Sequence, residues 1–213
     1  HIADVSNFVT PGGVLDDEAK ERCTSVYLPR HVIPMLPEIL SNGICSLQEG
    51  VPRYCKSVFI DYDERGRVRG RGYAATVIDS KKRLTYLEAQ ALIDGNEAEA
   101  KKHAKTEPNY TPELKQTLAD MNTLSRAIRE RRRGQGMIHL DLPDVELIYD
   151  DQGHVIDAEP EDDAYTHTLI EMFMVEANEA LAALFEGLEI PILRRVHPDP
   201  APGDMGQLRD FVK

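Results

Sequence analysis

With 213 residues and 41% hydrophobic side chains, the chain can bury a substantial core, as one large domain or two small ones. No apolar run reaches membrane-spanning length, no signal-peptide pattern is present, and Cys23, Cys45 and Cys55 form no CxxC pair, which fits buried free thiols in a reducing cytoplasm. The net charge of −12 excludes a uniformly basic nucleic-acid surface, but the arginines gather in two short segments, so total charge does not decide the matter.

In chain order, Ile2 to Val9 reads as a strand closed by the turn Thr10-Pro-Gly-Gly13, and Asp16 or Asp17 opens a short helix towards Cys23. Residues 29–55 are rich in Pro and Gly and are expected to be irregular, anchored by Val32, Met35, Leu36 and Leu40. Ser57 to Tyr62 alternates as a strand, Asp63-Glu-Arg-Gly66 makes a turn, and Val68 to Ile78 returns antiparallel. Thr85 and Glu88 form a capping box for a helix from Tyr86 to near Gly95. A polar, flexible loop is expected over 95–110. Thr111-Pro112 then caps a helix whose stripe is Leu114, Leu118, Met121, Leu124 and Ile128, ended by Gly134 and Gly136.

Two strands are expected next, Met137–Leu142 and Val145–Tyr149, then the turn Asp150-Asp-Gln-Gly153 and a short return strand. Asp162 or Asp163 caps a long helix bearing Leu169, Ile170, Phe173, Met174, Ala177, Leu181 and Leu184, too many apolar positions for an exposed helix. Pro191 to His197 reads as extended, and a last helix lies near Gly206. Mixed helices and antiparallel hairpins give an α+β class.

The candidate chemistry is sparse. The acidic groups at Asp16-Asp17, Asp61 to Glu64, Asp141/Asp144, Asp150-Asp151 and Glu159 to Asp163 sit at helix starts, hairpin turns and loops, where local structure accounts for them. No complete metal site is expected. Gly66, Gly70 and Gly72 lack the Lys-Ser/Thr of a phosphate loop and lie in a hairpin. His167 lies four residues before Glu171, so the two share a helix face. Arg65, Arg67, Arg69 and Arg71 alternate. In an extended strand they form a row that meets successive phosphates, or equally a charged edge that blocks strand pairing. Arg129 and Arg131-Arg-Arg133 are expected to complement a helix dipole.

Longer stretches carry more. His1-Ile-Ala-Asp-Val-Ser6, Thr24-Ser-Val-Tyr27-Leu-Pro, Ile33-Pro-Met-Leu-Pro37, Leu40 to Leu47, Ile78 to Tyr86, His167 to Met174 and Ala177-Asn178-Glu179 occur in an order that resembles the RNB catalytic domain of the ribonuclease II / ribonuclease R family. The resemblance implies a mixed, largely antiparallel sheet packed with helices, within a hydrolytic 3′-to-5′ exoribonuclease that releases nucleoside 5′-monophosphates from single-stranded RNA. It implies that residues 1–213 are the central part of one such domain, incomplete at both ends.

By the same resemblance, Tyr27 packs on the 3′-terminal base, Tyr86 helps distinguish RNA from DNA, and Glu171 contacts ribose. Leu140 stands where the family's clamp carries a phenylalanine. Arg67 and Arg69 complete the expected RNA-binding set. The family's metal-binding aspartates lie before the segment matching His1, so Mg²⁺ is expected as cofactor with its ligands outside this chain, and no catalytic or metal residue within it. Single-stranded RNA is the expected partner, with no membrane. The alternative is a catalytically silent RNA-binding relative of the same fold.

Overall fold

The computed structural model describes residues 1–28, 30–139, 145–160, 162–201 and 203–212. They fall into two compact units, 1–180 and 181–213. The class is α+β with antiparallel strand pairing, as the sequence patterns imply.

The first unit is built around a three-stranded antiparallel sheet. Strand β1 (Ile2–Ala3) pairs with β4 (Pro52–Tyr62), which pairs with β5 (Val68–Asp79) in the order β1-β4-β5. Ser57 lies opposite Ala74 and Ile60 opposite Arg71, with a bulge between Asp61 and Tyr62 before the turn. β1 is far shorter than the strand expected over Ile2–Val9. Asp4 accepts hydrogen bonds from Ser6 (2.5 Å) and pairs with Lys56 (2.8 Å), and the chain coils into a 3-10 turn at Val5–Asn7. The Asp4 N–H still donates to the Tyr54 carbonyl of β4 (2.9 Å), and the 3-10 turn ends the pairing just beyond it. Helix α1 (Val14–Arg22) follows, with Asp16 and Asp17 in its first turn.

The stretch 29–55 is more ordered than its composition suggests. Strands β2 (Val26–Leu28) and β3 (His31–Ile33) form a two-stranded ribbon, and Ile39–Ile44 is a π-helical turn that buries Leu40. Val32, expected as an anchor, is exposed on the ribbon.

Helices α2 (Tyr86–Ile93) and α4 (Pro112–Gly134) match their capping signals. The expected loop between them contains α3 (Glu97–His103). Asn96 caps it by accepting from the Glu99 N–H (3.1 Å), acids occupy its first turn, and Lys101, Lys102 and His103 its last. This helix buries only Ala100, so it carries no apolar periodicity to be read. Ala91, Leu92, Ala100, Tyr110 and Leu118 form one core cluster beneath α2, α3 and α4.

Of the two strands expected over 137–149, β6 (Val145–Tyr149) forms and pairs with β7 (Val155–Pro160). Residues 137–139 are not in a strand, and 140–144 lie outside the described residues. Helix α5 (Tyr165–Gly187) buries Thr166, Leu169, Met172, Glu176 and Ala180, whereas Ile170 and Met174 are exposed. In the second unit the end of α5 is followed by 191–200 without regular hydrogen-bonded structure. Helix α6 (Asp204–Val212) has the Asp204 carboxylate accepting from the Ala201 N–H (2.9 Å).

Candidate nucleic-acid interface

The start of α2 is held unusually firmly. Thr85 Oγ1 accepts from the Glu88 N–H, and the Glu88 carboxylate accepts from the Thr85 N–H, both at 3.1 Å. Glu88 is fully buried, and its other oxygen accepts from the Tyr110 hydroxyl (2.8 Å). Burial, and then that bond to a carboxylate, push the Tyr110 phenol up to about 12. Just upstream, Lys82 Nζ donates to both Glu49 oxygens, to Thr106 and to the Glu107 carbonyl at 2.6–3.1 Å. The connection from β5 into α2 is therefore clamped on both sides.

What this clamp presents is Tyr86. Its carbonyl accepts from Thr166 Oγ1 on α5 (2.9 Å), and its ring stacks on His167 with centroids 3.8 Å apart and planes 28° apart. The other part of the side chain reaches solvent, leaving the residue 44% exposed. His167 Nε2 donates to Asp162 Oδ1 (2.8 Å). Glu171, one helical turn beyond His167, is exposed and makes no hydrogen bond or ion pair among the described residues. A half-open aromatic ring beside an uncommitted carboxylate on a rigid helix is chemically suited to a nucleotide. The ring offers a stacking or van der Waals face, and the carboxylate accepts from a sugar hydroxyl. Behind Tyr86 lies a largely apolar cavity of about 500 Å³, lined among others by Leu84, Leu118, Met121, Leu169 and Ile170.

Tyr27 sits elsewhere, on the β2–β3 ribbon opposite Val32, and is 79% exposed. Its residue type alone suggests a ring buried in a core, which the structure corrects. Among the described residues its ring touches no other aromatic ring, that of Tyr86 included. Leu140 lies outside the described residues.

The four arginines do not form one strand row. Arg65 and Arg67 are in the turn, while Arg69 and Arg71 are in β5, and all four are exposed. Asp63 gathers the turn. Its carboxylate accepts from the N–H groups of Arg65 and Arg67 (3.0 and 2.9 Å) and from the Arg67 and Arg69 guanidiniums (2.7 and 2.8 Å). The Arg67 N–H above all, with these partners, pulls the Asp63 carboxyl down to about 2. Arg67 and Arg69 thus share one carboxylate, whereas the Arg71 guanidinium has no partner among the described residues. Gly66 completes the turn at φ +68°, and a Cβ there would stand 2.9 Å from the Ala127 backbone of α4. Glycine is required twice over, for its backbone angle and for the close approach.

Sequence reasoning missed the buried ion cluster beneath that turn. Arg131 and Arg132, expected to complement the α4 dipole, turn inward to Glu176 on α5, which is 4% exposed. The Arg132 contacts are 2.6 and 2.9 Å, and the Tyr62 hydroxyl donates to the second Glu176 oxygen (3.0 Å). Arg131 also donates to the Gly66 carbonyl (2.8 Å). Burial pushes the Glu176 carboxyl up, but the hydrogen bonds from Arg132, Arg131 and Tyr62 outweigh it, and the net direction is down. The readable signal was a glutamate at the stripe position of Leu169, Met172 and Ala180, which demands buried partners.

Among the described residues no three His, Cys, Asp or Glu side chains gather as a metal ion would require. No helix among them is long and apolar enough to cross a membrane. The three thiols are unpaired, with Cys55 buried and Cys23 exposed.

Comparison with known proteins gives a consistent result. The family model described as RNB domain matches residues 1–213. The chain is 39% identical to ribonuclease R of Thermotoga maritima, over all of this chain and 29% of that protein. It is also 39% identical to ribonuclease R of Aquifex aeolicus, over 100% of the chain and 29% of that protein. A solved structure of Mycoplasma genitalium RNase R in complex with ribose methylated single-stranded RNA superposes with a TM-score of 0.89 at 32% identity, covering 99% of this chain and 32% of that one. The chain spans less than a third of the length of these relatives.

Proposed function

The chain belongs to the RNB domain family, and on that premise we propose that the full-length protein carrying it is a 3′-to-5′ hydrolytic exoribonuclease, with residues 1–213 as the central part of one catalytic domain. It removes nucleoside 5′-monophosphates one at a time from single-stranded RNA. The observation that carries this reading is the match along the whole chain to the RNB domain, joined to close similarity with ribonuclease R. The Tyr86–His167–Glu171 wall supports it, because it offers an aromatic ring and a free carboxylate to a sugar.

In this reading Tyr86 and Glu171 face the ribose near the scissile end, and Tyr27 supplies an exposed ring for the terminal base; Leu140 occupies the sequence position of the family's second clamp residue. Arg67 and Arg69 meet the RNA backbone with charge already shared with Asp63. Mg²⁺ is the proposed cofactor of the full-length protein, with ligands from outside this chain as the family resemblance implies; among the described residues no three His, Cys, Asp or Glu side chains gather to hold it. The unpaired thiols suit a cytoplasmic setting.

The test uses the full-length protein and 5′-labelled single-stranded RNA, with and without Mg²⁺. Stepwise shortening from the 3′ end, with nucleoside 5′-monophosphates as products, is the expected result. Internal cleavage contradicts it. Binding without release in either condition identifies a silent RNA-binding relative instead.

A further inference from the structure

We propose that His167 is a positioning residue for Tyr86: its imidazole, fixed by Asp162, seats the tyrosine ring at the orientation from which it distinguishes ribose from deoxyribose. The inference rests on, and deepens, the reading of Tyr86 and Glu171 as the sugar-facing pair.

The backbone of Tyr86 is fixed by the capping box behind it and by the Thr166 hydroxyl at its carbonyl. Neither contact restrains the side-chain torsions. Among the described residues the Tyr86 hydroxyl has no hydrogen-bond partner, and the ring's one aromatic neighbour is His167, at 3.8 Å and 28°. The aliphatic side chains that share the neighbouring cavity with Tyr86 offer only non-directional packing, so the stack is the oriented contact to which we assign the ring's seat.

A stacking partner can do so only if it is itself held. The Nε2–H of His167 donates to Asp162 Oδ1 (2.8 Å), and the same oxygen accepts from the Ala164 N–H (3.2 Å), tying the carboxylate to the entry of α5. Consecutive residues of α5 thus grip Tyr86 twice, Thr166 at its backbone and His167 at its ring. Glu171 follows on the same face one turn later, so the helix fixes the spacing between ring and carboxylate. A ring that merely added surface packing would not need an anchored imidazole.

The full-length protein is compared with His167→Leu, His167→Phe and Tyr86→Ala by two measurements. The first is the turnover ratio of single-stranded RNA to DNA of one sequence. The second is nitration of Tyr86 by tetranitromethane, mapped by mass spectrometry, which does not depend on catalysis. His167→Leu is expected to lower the ratio about two- to tenfold, the range an aromatic pair spans, and to raise Tyr86 nitration. His167→Phe, which keeps a ring, is expected to restore both.

A ratio unchanged in His167→Leu while Tyr86→Ala shifts it overturns the proposal, as does a phenylalanine variant as altered as the leucine one. If Tyr86→Ala itself leaves the ratio unmoved, the sugar reading fails on its own. Nitration then decides the seat, and unaltered Tyr86 reactivity in His167→Leu rejects it.

Discussion

Glu171 and Glu176 sit on one helix five residues apart, which at about 100° per residue turns their side chains about 140° from each other. Glu176 points inward to Arg131, Arg132 and Tyr62 and is almost fully buried. Glu171 points outward beside the Tyr86–His167 stack and has no partner among the described residues. The same chemical group is structural on one face and available on the other. Burial and partner count, not residue type, divide the two roles.

The contrast breaks first at Glu176. Glu176→Ala leaves two largely buried guanidiniums and the Tyr62 hydroxyl without their shared acceptor, and a loss of roughly 3–5 kcal/mol is expected in urea denaturation of the full-length protein. Glu171→Ala is expected to change stability by no more than about 0.5 kcal/mol. Equal losses in the two variants would erase the distinction. Next in size is Gly66→Ala, which strains a left-handed backbone position and drives a methyl group against α4, at a cost of about 1–3 kcal/mol by the same measurement.

The sequence made much of this frame legible. Thr85 with Glu88, Thr111 with Pro112, and the alternation around Asp63–Gly66 are local signals, and the capped helices and the hairpin follow them. Other features were hidden for stated reasons. Helix α3 buries one alanine and is held by its cap and end charges, so hydrophobic periodicity is silent there. The arginine partners of Glu176 lie 44 and 45 residues away on another helix and Tyr62 lies 114 away on β4, distances no local pattern spans. The arginine alternation was real, but the turn takes two of the four, and Asp63 draws Arg67 and Arg69 together. The Tyr86–His167 stack joins residues from α2 and α5, which become neighbours only on folding.

Smaller effects sharpen the picture at the hairpin. Because Arg67 and Arg69 already share Asp63, the pair Arg67→Glu and Arg69→Glu is expected to weaken RNA binding modestly and to reduce the salt slope by about one per lost phosphate contact. Salt titration of binding checks this, and an unchanged slope removes both residues from the interface. The smallest effect is acidic. Asp63 has its folded pKa lowered to about 2 from 3.8, so its contribution to holding the turn is fully present above about pH 4 and lost as pH falls through 2. Asp63→Asn should therefore differ from the parent in stability at neutral pH and converge with it towards pH 2. A difference that persists there contradicts the assignment.

The most direct measurement is the RNA-to-DNA turnover ratio of the full-length protein carrying Glu171→Ala, beside Glu176→Gln as the control from the opposite helix face. The account predicts that Glu171→Ala lowers the preference for ribose about tenfold at unaltered stability, the size of one lost hydrogen bond to the sugar. It predicts that Glu176→Gln lowers stability and leaves the ratio alone. A ratio untouched by Glu171→Ala, or moved only by Glu176→Gln, would contradict it.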